Sequence, residues 1–100
     1  MTTAATASDT ATPDLSAQGV VTGTLKQGES ATIFTGAQPA TFYVSLYGTI
    51  RATAEIDVIV DDSVATTLRP NAKSTFASGK SIRVTSRGRE PQTFLASPVD

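Results

Sequence analysis

The sequence predicts an all-β protein: a two-sheet antiparallel β-sandwich of jelly-roll or immunoglobulin-like topology, with about eight short strands. Segments rich in β-branched and aromatic residues recur at a spacing of about 8–12 residues, and Gly, Pro, Asn, Asp or Ser separates them. No segment has the apolar periodicity of an amphipathic helix. The 100 residues are enough for one domain. A five-stranded barrel is the alternative, because strand number alone does not decide topology.

The predicted strand 50–61 is the longest. Its even positions are apolar, and its odd positions are mostly charged or polar. A period of two places these sets on opposite faces, so we expect the strand to cover a core. Gly48-Thr49 precedes it and predicts a two-residue hairpin with strand 40–47. The full set of predicted strands is 20–25, 30–35, 40–47, 50–61, 64–68, 73–77, 80–85 and 92–96.

Turn-forming residues separate the other strands. Turns or breaks are predicted at 36–39, 61–63 and 78–79, where Gly, Pro, Asp and Ser occur together. In the central hairpin we expect Tyr43 and Tyr47 on the outer face. The same alternation assigns to the core Phe42, Val44, Leu46, Ile50, Ile56, Val58 and Val60.

The composition excludes the commonest catalytic chemistries. The chain contains no histidine and no cysteine, so Ser-His-Asp and Cys-His machinery and an ordinary zinc site are excluded. A Ser-Lys pair stays formally open, but no lysine lies in apolar surroundings that would favour its neutral form. We therefore expect a protein that is not an enzyme and that needs no cofactor.

Two sequence patterns resemble ligand sites but favour simpler interpretations. Residues 78–81, Ser-Gly-Lys-Ser, match the end of a phosphate-binding loop, but Ser74 stands where its first glycine belongs and a strand pattern follows. We interpret them as a hairpin turn. The carboxylates of Glu55, Asp57, Asp61 and Asp62 suit calcium, but their spacing does not match an EF-hand. We interpret them as a solvated strand face and turn, and predict no metal site.

Charge is divided along the chain. Residues 1–66 contain two basic and seven acidic residues, which sum to −5, and residues 67–100 contain six basic and two acidic, which sum to +4. Such halves can attract within one monomer or between copies. Lys80 and the nearby arginines form a basic edge that suits an acidic protein partner better than nucleic acid. Tyr43, Tyr47 and Ile59 are predicted to form an apolar patch on the outer face, and we expect Ile59 to be covered by another part of the chain or by a partner. The patch and three of the arginines give the candidate interface: Tyr43, Tyr47, Ile59, Arg83, Arg87 and Arg89.

The chain divides into an arm at 1–17, a β-sandwich domain at 18–97 and a tail at 98–100. The Thr/Ala-rich arm offers little apolar area, so we expect it to be disordered in isolation or to order on a neighbouring subunit. It lacks the basic and apolar regions of a secretory signal, and no segment has the length of a membrane span. We therefore expect synthesis in the cytoplasm and no membrane partner.

Four features of the chain carry a resemblance to a known family. They are the Thr/Ala-rich arm, the central hairpin, the segment Gly-Thr-Leu-Lys-Gln-Gly-Glu-Ser at 23–30 and the segment Gly-Lys-Ser-Ile-Arg-Val-Thr-Ser at 79–86. In size, composition and strand rhythm, residues 18–97 resemble small capsid decoration, or cement, proteins of tailed bacteriophages. The resemblance implies an all-β virion structural protein that binds the capsid exterior as an oligomer and stabilises the shell. It transfers no functional residue.

Two functions follow as expectations. The first is the capsid decoration protein, with the major capsid protein as partner, a homodimer or homotrimer as its state, and the capsid surface as its location. The second is a carbohydrate- or cell-surface-binding module of a fibre or adhesin, with Tyr43 and Tyr47 as its platform and calcium as its expected cofactor.

Overall fold

The computed structural model describes Thr3–Ala4, Ser8–Asp9 and residues 19–99, and this part of the chain contains strands and no helix. The predicted all-β class is confirmed. Two short strands, β1 (Thr3–Ala4) and β2 (Ser8–Asp9), pair antiparallel. The rest of the predicted arm lies outside the described residues. No described segment forms a helix long and apolar enough to cross a membrane.

Six strands form one antiparallel sheet in the order β3-β8-β4-β7-β5-β6. The predicted two-sheet sandwich of eight strands is not confirmed: residues 19–99 form six strands in one sheet, because two pairs of predicted strands are continuous. β8 also runs three residues further than predicted. The strands are β3 (Val21–Leu25), β4 (Ser30–Tyr47), β5 (Ile56–Val60), β6 (Ser63–Leu68), β7 (Ser74–Ser86) and β8 (Gln92–Val99).

β4 and β7 run through the whole sheet and define its two ends. β8 pairs with the second part of β4, and β5 pairs with the second part of β7. The β3–β8 end therefore consists of β3, β8, the second part of β4 and the first part of β7. The β5–β6 end consists of the first part of β4, the second part of β7, β5 and β6.

β4 bends sharply at residues 36–39, where a break was predicted. Thr35 pairs with Ser81 and Ala40 pairs with Gly79, so the four residues between them on β4 face a single residue on β7. The rings of Phe34 and Phe42 lie with centroids 5.8 Å apart, although eight residues of straight strand would span about 26 Å. The extra residues bend the strand without ending it.

The turn predicted at 78–79 is wrong, because β7 continues through it. Gly79 is buried, and a Cβ there would lie 2.5 Å from Val60 Cγ1. The glycine therefore permits close packing of β5 and the following turn against β7. Since residues 78–81 lie within a strand, they form neither a hairpin turn nor a phosphate-binding loop.

The long strand predicted at 50–61 is wrong over its first half, since only Ile56–Val60 is a strand. Ala52 and Thr53 form a turn, in which Ala54 N donates to Arg51 O at 3.0 Å. The hairpin predicted at Gly48-Thr49 is wrong as well, because β4 pairs with β7 and β8 and not with β5. Gly48 does have a positive φ of 72°, so the chain turns there without forming a hairpin.

The turn predicted at 61–63 is confirmed and joins β5 to β6. Asp61 and Asp62 have φ of 49° and 68°, and two consecutive positive φ angles are typical of a type I′ hairpin turn. Asp61 Oδ1 accepts the backbone N–H groups of Lys80 at 3.0 Å and Ser81 at 3.1 Å. The turn is thereby attached to β7.

One apolar cluster contains residues from all six strands. The predicted inner face is confirmed for the second part of β4 and for Ile56 and Val58 of β5, while Ile50 and Val60 are partly buried against the cluster. Its buried members are Leu25, Ile33, Phe42, Val44, Leu46, Ala54, Ile56, Val58, Leu68, Ala77, Ile82, Val84, Phe94 and Ala96. The prediction of a solvated outer face is wrong for Asp57, which is buried.

Candidate interaction face

The outer surface of the β3–β8 end carries no charged side chain. Along β4, alternate residues point away from the core, and the register places the outward residues of the neighbouring strands beside them. We call this surface the uncharged face. It consists of Thr22 and Thr24 on β3, Thr93, Leu95, Ser97 and Val99 on β8, Thr41, Tyr43, Ser45 and Tyr47 on β4, and Ser74, Phe76 and Ser78 on β7.

Three aromatic side chains supply most of the exposed apolar surface of this face. Phe76 is 66% exposed, Tyr47 53% and Tyr43 37%. Tyr43 and Phe76 are direct partners across β4 and β7, with ring centroids 4.9 Å apart and planes tilted by 54°. The Tyr43 hydroxyl donates to Ser74 Oγ at 2.7 Å. The pair therefore holds its position before any partner binds.

The hydroxyl groups of the uncharged face largely bond to one another. Thr24 and Thr93 share a hydrogen bond of 2.7 Å across β3 and β8. Thr41 and Ser78 share one of 2.6 Å across β4 and β7. Because these hydroxyls already have partners, the face offers a ligand mainly aromatic and aliphatic surface.

The size of the uncharged face follows from strand geometry. Four strands at about 4.8 Å spacing give a width of about 19 Å, and seven residues at about 3.3 Å give a length of about 23 Å. The product is about 440 Å². This is the projected area of the hydroxyl-bearing and apolar residues together. Since a standard interface buries about 800 Å² per partner, the face is small for a stable protein complex.

The β5–β6 end carries charge instead. Asp57 is buried, and its carboxylate accepts Thr67 Oγ1 at 2.7 Å and lies 3.1 Å from Arg87 Nε. Glu55 accepts Arg69 Nη2 at 2.9 Å and lies 3.7 Å from Arg87 Nη2. The hydrogen bond from Arg69, assisted by the charges of both arginines, lowers the pKa of Glu55. The acidic and basic halves of the sequence thus attract within one monomer.

The six residues of the predicted interface do not form one surface. Tyr43 and Tyr47 lie on the uncharged face. Ile59 and Arg83 are partners across β5 and β7 at the β5–β6 end, where Ile59 is half-buried. Arg83 lies 3.6 Å from Asp62.

The other basic members of that interface differ in their surroundings. Arg87 contacts Glu55 and Asp57, so its charge is largely committed within the monomer. Arg89 is exposed in the loop between β7 and β8.

The four carboxylates considered for calcium do not form one group either. Glu55 and Asp57 face arginines, and Asp61 binds backbone N–H groups. Within the described residues, no group of three or more His, Cys, Asp or Glu side chains is placed to hold a metal ion.

Sequence reasoning missed two residues that matter to this surface. Phe76 is its most exposed aromatic residue. Gln92 is buried beneath one end of the face, where Nε2 donates to Tyr47 O at 3.1 Å and to Thr93 O at 3.0 Å, and Oε1 accepts Arg51 N at 2.9 Å. The amide therefore fixes the chain that leaves β4 after Tyr47.

Comparison of the chain with protein-family models, with curated proteins and with solved structures found no match.

Proposed function

We propose that this chain is a non-enzymatic virion structural protein that binds the exterior of a capsid and stabilises the shell through contacts between subunits. Its partner is the major capsid protein, and the uncharged face is its contact surface. The observation that carries the proposal is that face: an uncharged, aromatic-bearing surface on a small β-protein without histidine or cysteine.

The distribution of charge supports this choice of surface. Three ion-paired arginines, Arg69, Arg83 and Arg87, contact carboxylates of the same chain. Forming a new contact with these arginines would first require breaking or sharing those pairs. On the uncharged face a partner has no ion pairs to break. Burial of its apolar surface stabilises a complex by about 25 cal/mol for each Å² removed from water.

The estimated size of the face favours repeated contacts over one tight contact. A stable complex buries about 800 Å² per partner, and the uncharged face offers about half of this. A capsid presents many equivalent sites, so copies linked to one another bind with the higher effective concentration of a multivalent ligand. A decoration protein acting as an oligomer matches this requirement.

We also infer that the two ends of the sheet face each other across the core, in the layered arrangement of a β-sandwich. The bend in β4 and the apolar cluster shared by both ends support this finer fold. In that arrangement the uncharged face is turned away from the core over its whole area, as a docking surface requires.

The test is binding to capsids assembled from a major capsid protein, and a gene beside that of this chain is the first place to look for it. Purified chain is mixed with these capsids, and the bound copies are counted after sedimentation. Phe76→Asp places a charge at the most exposed aromatic residue of the uncharged face, and we expect it to weaken binding at least about tenfold. Added salt should change wild-type binding little, because uncharged contacts are not screened.

The matched control is Val64→Asp, which replaces a similarly exposed apolar residue, 58% exposed, at the β5–β6 end. It adds the same charge away from the face and should bind like the wild type. Far-UV circular dichroism verifies that both variants are folded. Equal binding by Phe76→Asp and the wild type would contradict the proposal, and so would a capsid that binds no chain at all.

The carbohydrate-binding alternative has weaker support. A sugar ring stacks on a flat aromatic platform, whereas the Tyr43 and Phe76 rings are tilted by 54°. Tyr47 remains as a single exposed ring. Glycan-array binding by the chain that disappears in Tyr47→Ala would favour this alternative over the capsid.

A further inference from the structure

β3 lies at one edge of the sheet, and among the described residues it pairs with β8 alone. Alternate N–H and C=O groups of an edge strand point away from the sheet and can pair with another strand. The register with β8 is continuous from Val21 to Leu25. The outer edge of β3 is therefore a regular template for a further strand.

The opposite edge, β6, has features that oppose pairing. Val58 pairs with Thr66 and Ile59 pairs with Val64, so Ala65 is an extra residue that forms a bulge. The Asp61-Asp62 turn precedes β6, and Arg69-Pro70 follows it. Bulges, charges and proline are the usual protections of an edge strand, and β3 contains none of them.

The sequence of β3 is self-complementary. It reads Val21-Thr22-Gly23-Thr24-Leu25, an apolar residue and a threonine on each side of a central glycine. We propose that two copies of this chain pair through β3, antiparallel, about a twofold axis at Gly23. Thr22 then lies opposite Thr24 of the partner subunit, and Val21 lies opposite Leu25 of the partner subunit.

The side chains match on both sides of this pairing. Thr22 and Thr24 point to the outer face, and threonine pairs across antiparallel strands are favourable. Thr24 already forms such a pair with Thr93 inside the monomer, at 2.7 Å. On the inner side Val21 is only half-buried against the core, and Leu25 of the partner subunit covers it.

The pairing completes the surface on which the proposed function rests. A twofold axis perpendicular to the sheet keeps both uncharged faces on the same side and joins them at β3. The joined face measures about 880 Å², twice the estimate for one copy, and reaches the area of about 800 Å² per partner in a standard interface. The face of one copy is thus half of a binding surface.

Disulfide trapping tests the register. Because the chain has no cysteine, Thr22→Cys and Thr24→Cys each carry a single thiol. Residues directly opposite are close enough to bridge, whereas Thr22 and its own copy are diagonal and too far apart. When the two variants are mixed, one of them labelled with ¹⁵N, we expect hybrids to be most of the disulfide dimers.

The control mixture is Ser63→Cys with Ala65→Cys on β6, which should give about half hybrids, as random collision does. The same statistical proportion from the β3 mixture, or homodimers in excess, would overturn the pairing.

Sedimentation velocity from about 10 μM to about 1 mM tests the association itself, since a pairing of five residues is weak. We expect a reversible dimer whose dissociation constant rises at least about tenfold in Thr22→Lys/Thr24→Lys, where lysines meet across the axis. The control Ser63→Lys/Ala65→Lys adds the same charge to the other edge and should dimerise like the wild type.

A monomer throughout this range overturns the proposal, as does a dimer that the β3 lysines leave unchanged. A dimer that forms only after deletion of residues 1–17 also overturns it, because the edge is then occupied by the chain's own terminus. No capsid is present in these measurements, so they fail or succeed independently of the proposed function.

Discussion

Replacing Gln92 by leucine should lower the free energy of unfolding by more than the loss of one hydrogen bond would. Gln92 is 1% exposed at the start of β8. Its amide makes three hydrogen bonds to backbone groups, accepting from Arg51 N and donating to the carbonyls of Tyr47 and Thr93. Arg51 belongs to the segment between β4 and β5, which no strand pairing supports, and Tyr47 is the last residue of β4, so the amide attaches this segment to the end of the strand.

The expected magnitude follows from those bonds. Leucine has a similar volume, so the packing around position 92 is largely kept. Each lost hydrogen bond costs about 1 kcal/mol net, which gives a loss of about 3 kcal/mol for the three. The free energy of unfolding of such a domain is about 5–15 kcal/mol, so the loss is a large part of the total.

Urea denaturation followed by far-UV circular dichroism measures this loss. The urea concentration at the midpoint should fall, while the slope of the free energy of unfolding against urea concentration should stay the same. Gln38→Leu is the matched control, because the same substitution at an exposed position should change the free energy of unfolding by less than about 0.5 kcal/mol. Gln92→Glu sharpens the test, since an ionised carboxylate accepts from Arg51 N but cannot donate to the two carbonyls. A Gln92→Leu variant as stable as Gln38→Leu would refute the reasoning.

Two further predictions concern the β5–β6 end and the buried end of β7. Because the hydrogen bond from Arg69 lowers the pKa of Glu55 below its ordinary 4.5, the ion pair stabilises the fold above that pH, and the contribution is lost as pH falls through the lower folded-state value. Wild type should therefore be more stable than Glu55→Gln near pH 7, and this advantage should shrink as the pH falls below 4.5; a urea-unfolding difference unchanged by pH would contradict this. Ser86 is fully buried, and its Oγ has no hydrogen-bond partner among the described residues, so Ser86→Ala should raise the free energy of unfolding by about 1 kcal/mol. Ser97→Ala on the outer face should change it little, and a less stable Ser86→Ala would indicate that the hydroxyl is bonded.

Side-chain alternation predicted the faces of two strands because it depends on local geometry alone. Phe42, Val44 and Leu46 are buried, and Tyr43 and Tyr47 are exposed, as a period of two requires. In β5 the argument succeeded for Ile56 and Val58 but failed for Asp57, which is buried with Thr67 and Arg87 as partners. Whichever strands lie beside it, a strand that covers a core turns every second residue inward.

Backbone competition explains why the same alternation failed at residues 50–55. A side-chain pattern does not reveal which group will bond a given backbone N–H. Here the amide of Gln92, far along the chain, accepts Arg51 N, and Ala54 N turns back to Arg51 O. Gly88 packs so closely on this segment that a Cβ there would collide with Thr53 O. The contacts with Gln92 and Gly88 are tertiary, and no local sequence window contains them.

The number of strands could not be read from glycine and proline alone. These residues mark turns, but they also mark bends and close approaches inside a strand. At 36–39 they bend β4, and at Gly79 the missing Cβ admits Val60. Both predicted breaks therefore lie within strands, and this difference turned eight predicted strands into six.

Only part of the uncharged face could be predicted from the sequence, because Tyr43 and Phe76 meet through a pairing of distant segments. A signal for it nevertheless exists. None of the segments 21–25, 40–47, 74–78 and 92–99 contains a charged residue, and together they are the strands of the β3–β8 end. Shared absence of charge, taken with a prediction of which strands are neighbours, would have located the face.

That shared absence has a consequence for how the protein can assemble. Charged side chains at both edges of the sheet would keep copies apart, but here β6 carries a bulge and has charged residues at both of its ends, whereas β3 has no bulge and is followed by a single adjacent charge, Lys26. The unprotected edge is also the edge of the uncharged face. Association through β3 therefore enlarges the surface available to a partner, whereas association through β6 would extend the charged end. If assembly and binding both use apolar contact, they act in the same direction, because pairing of two copies through β3 doubles the surface that binds.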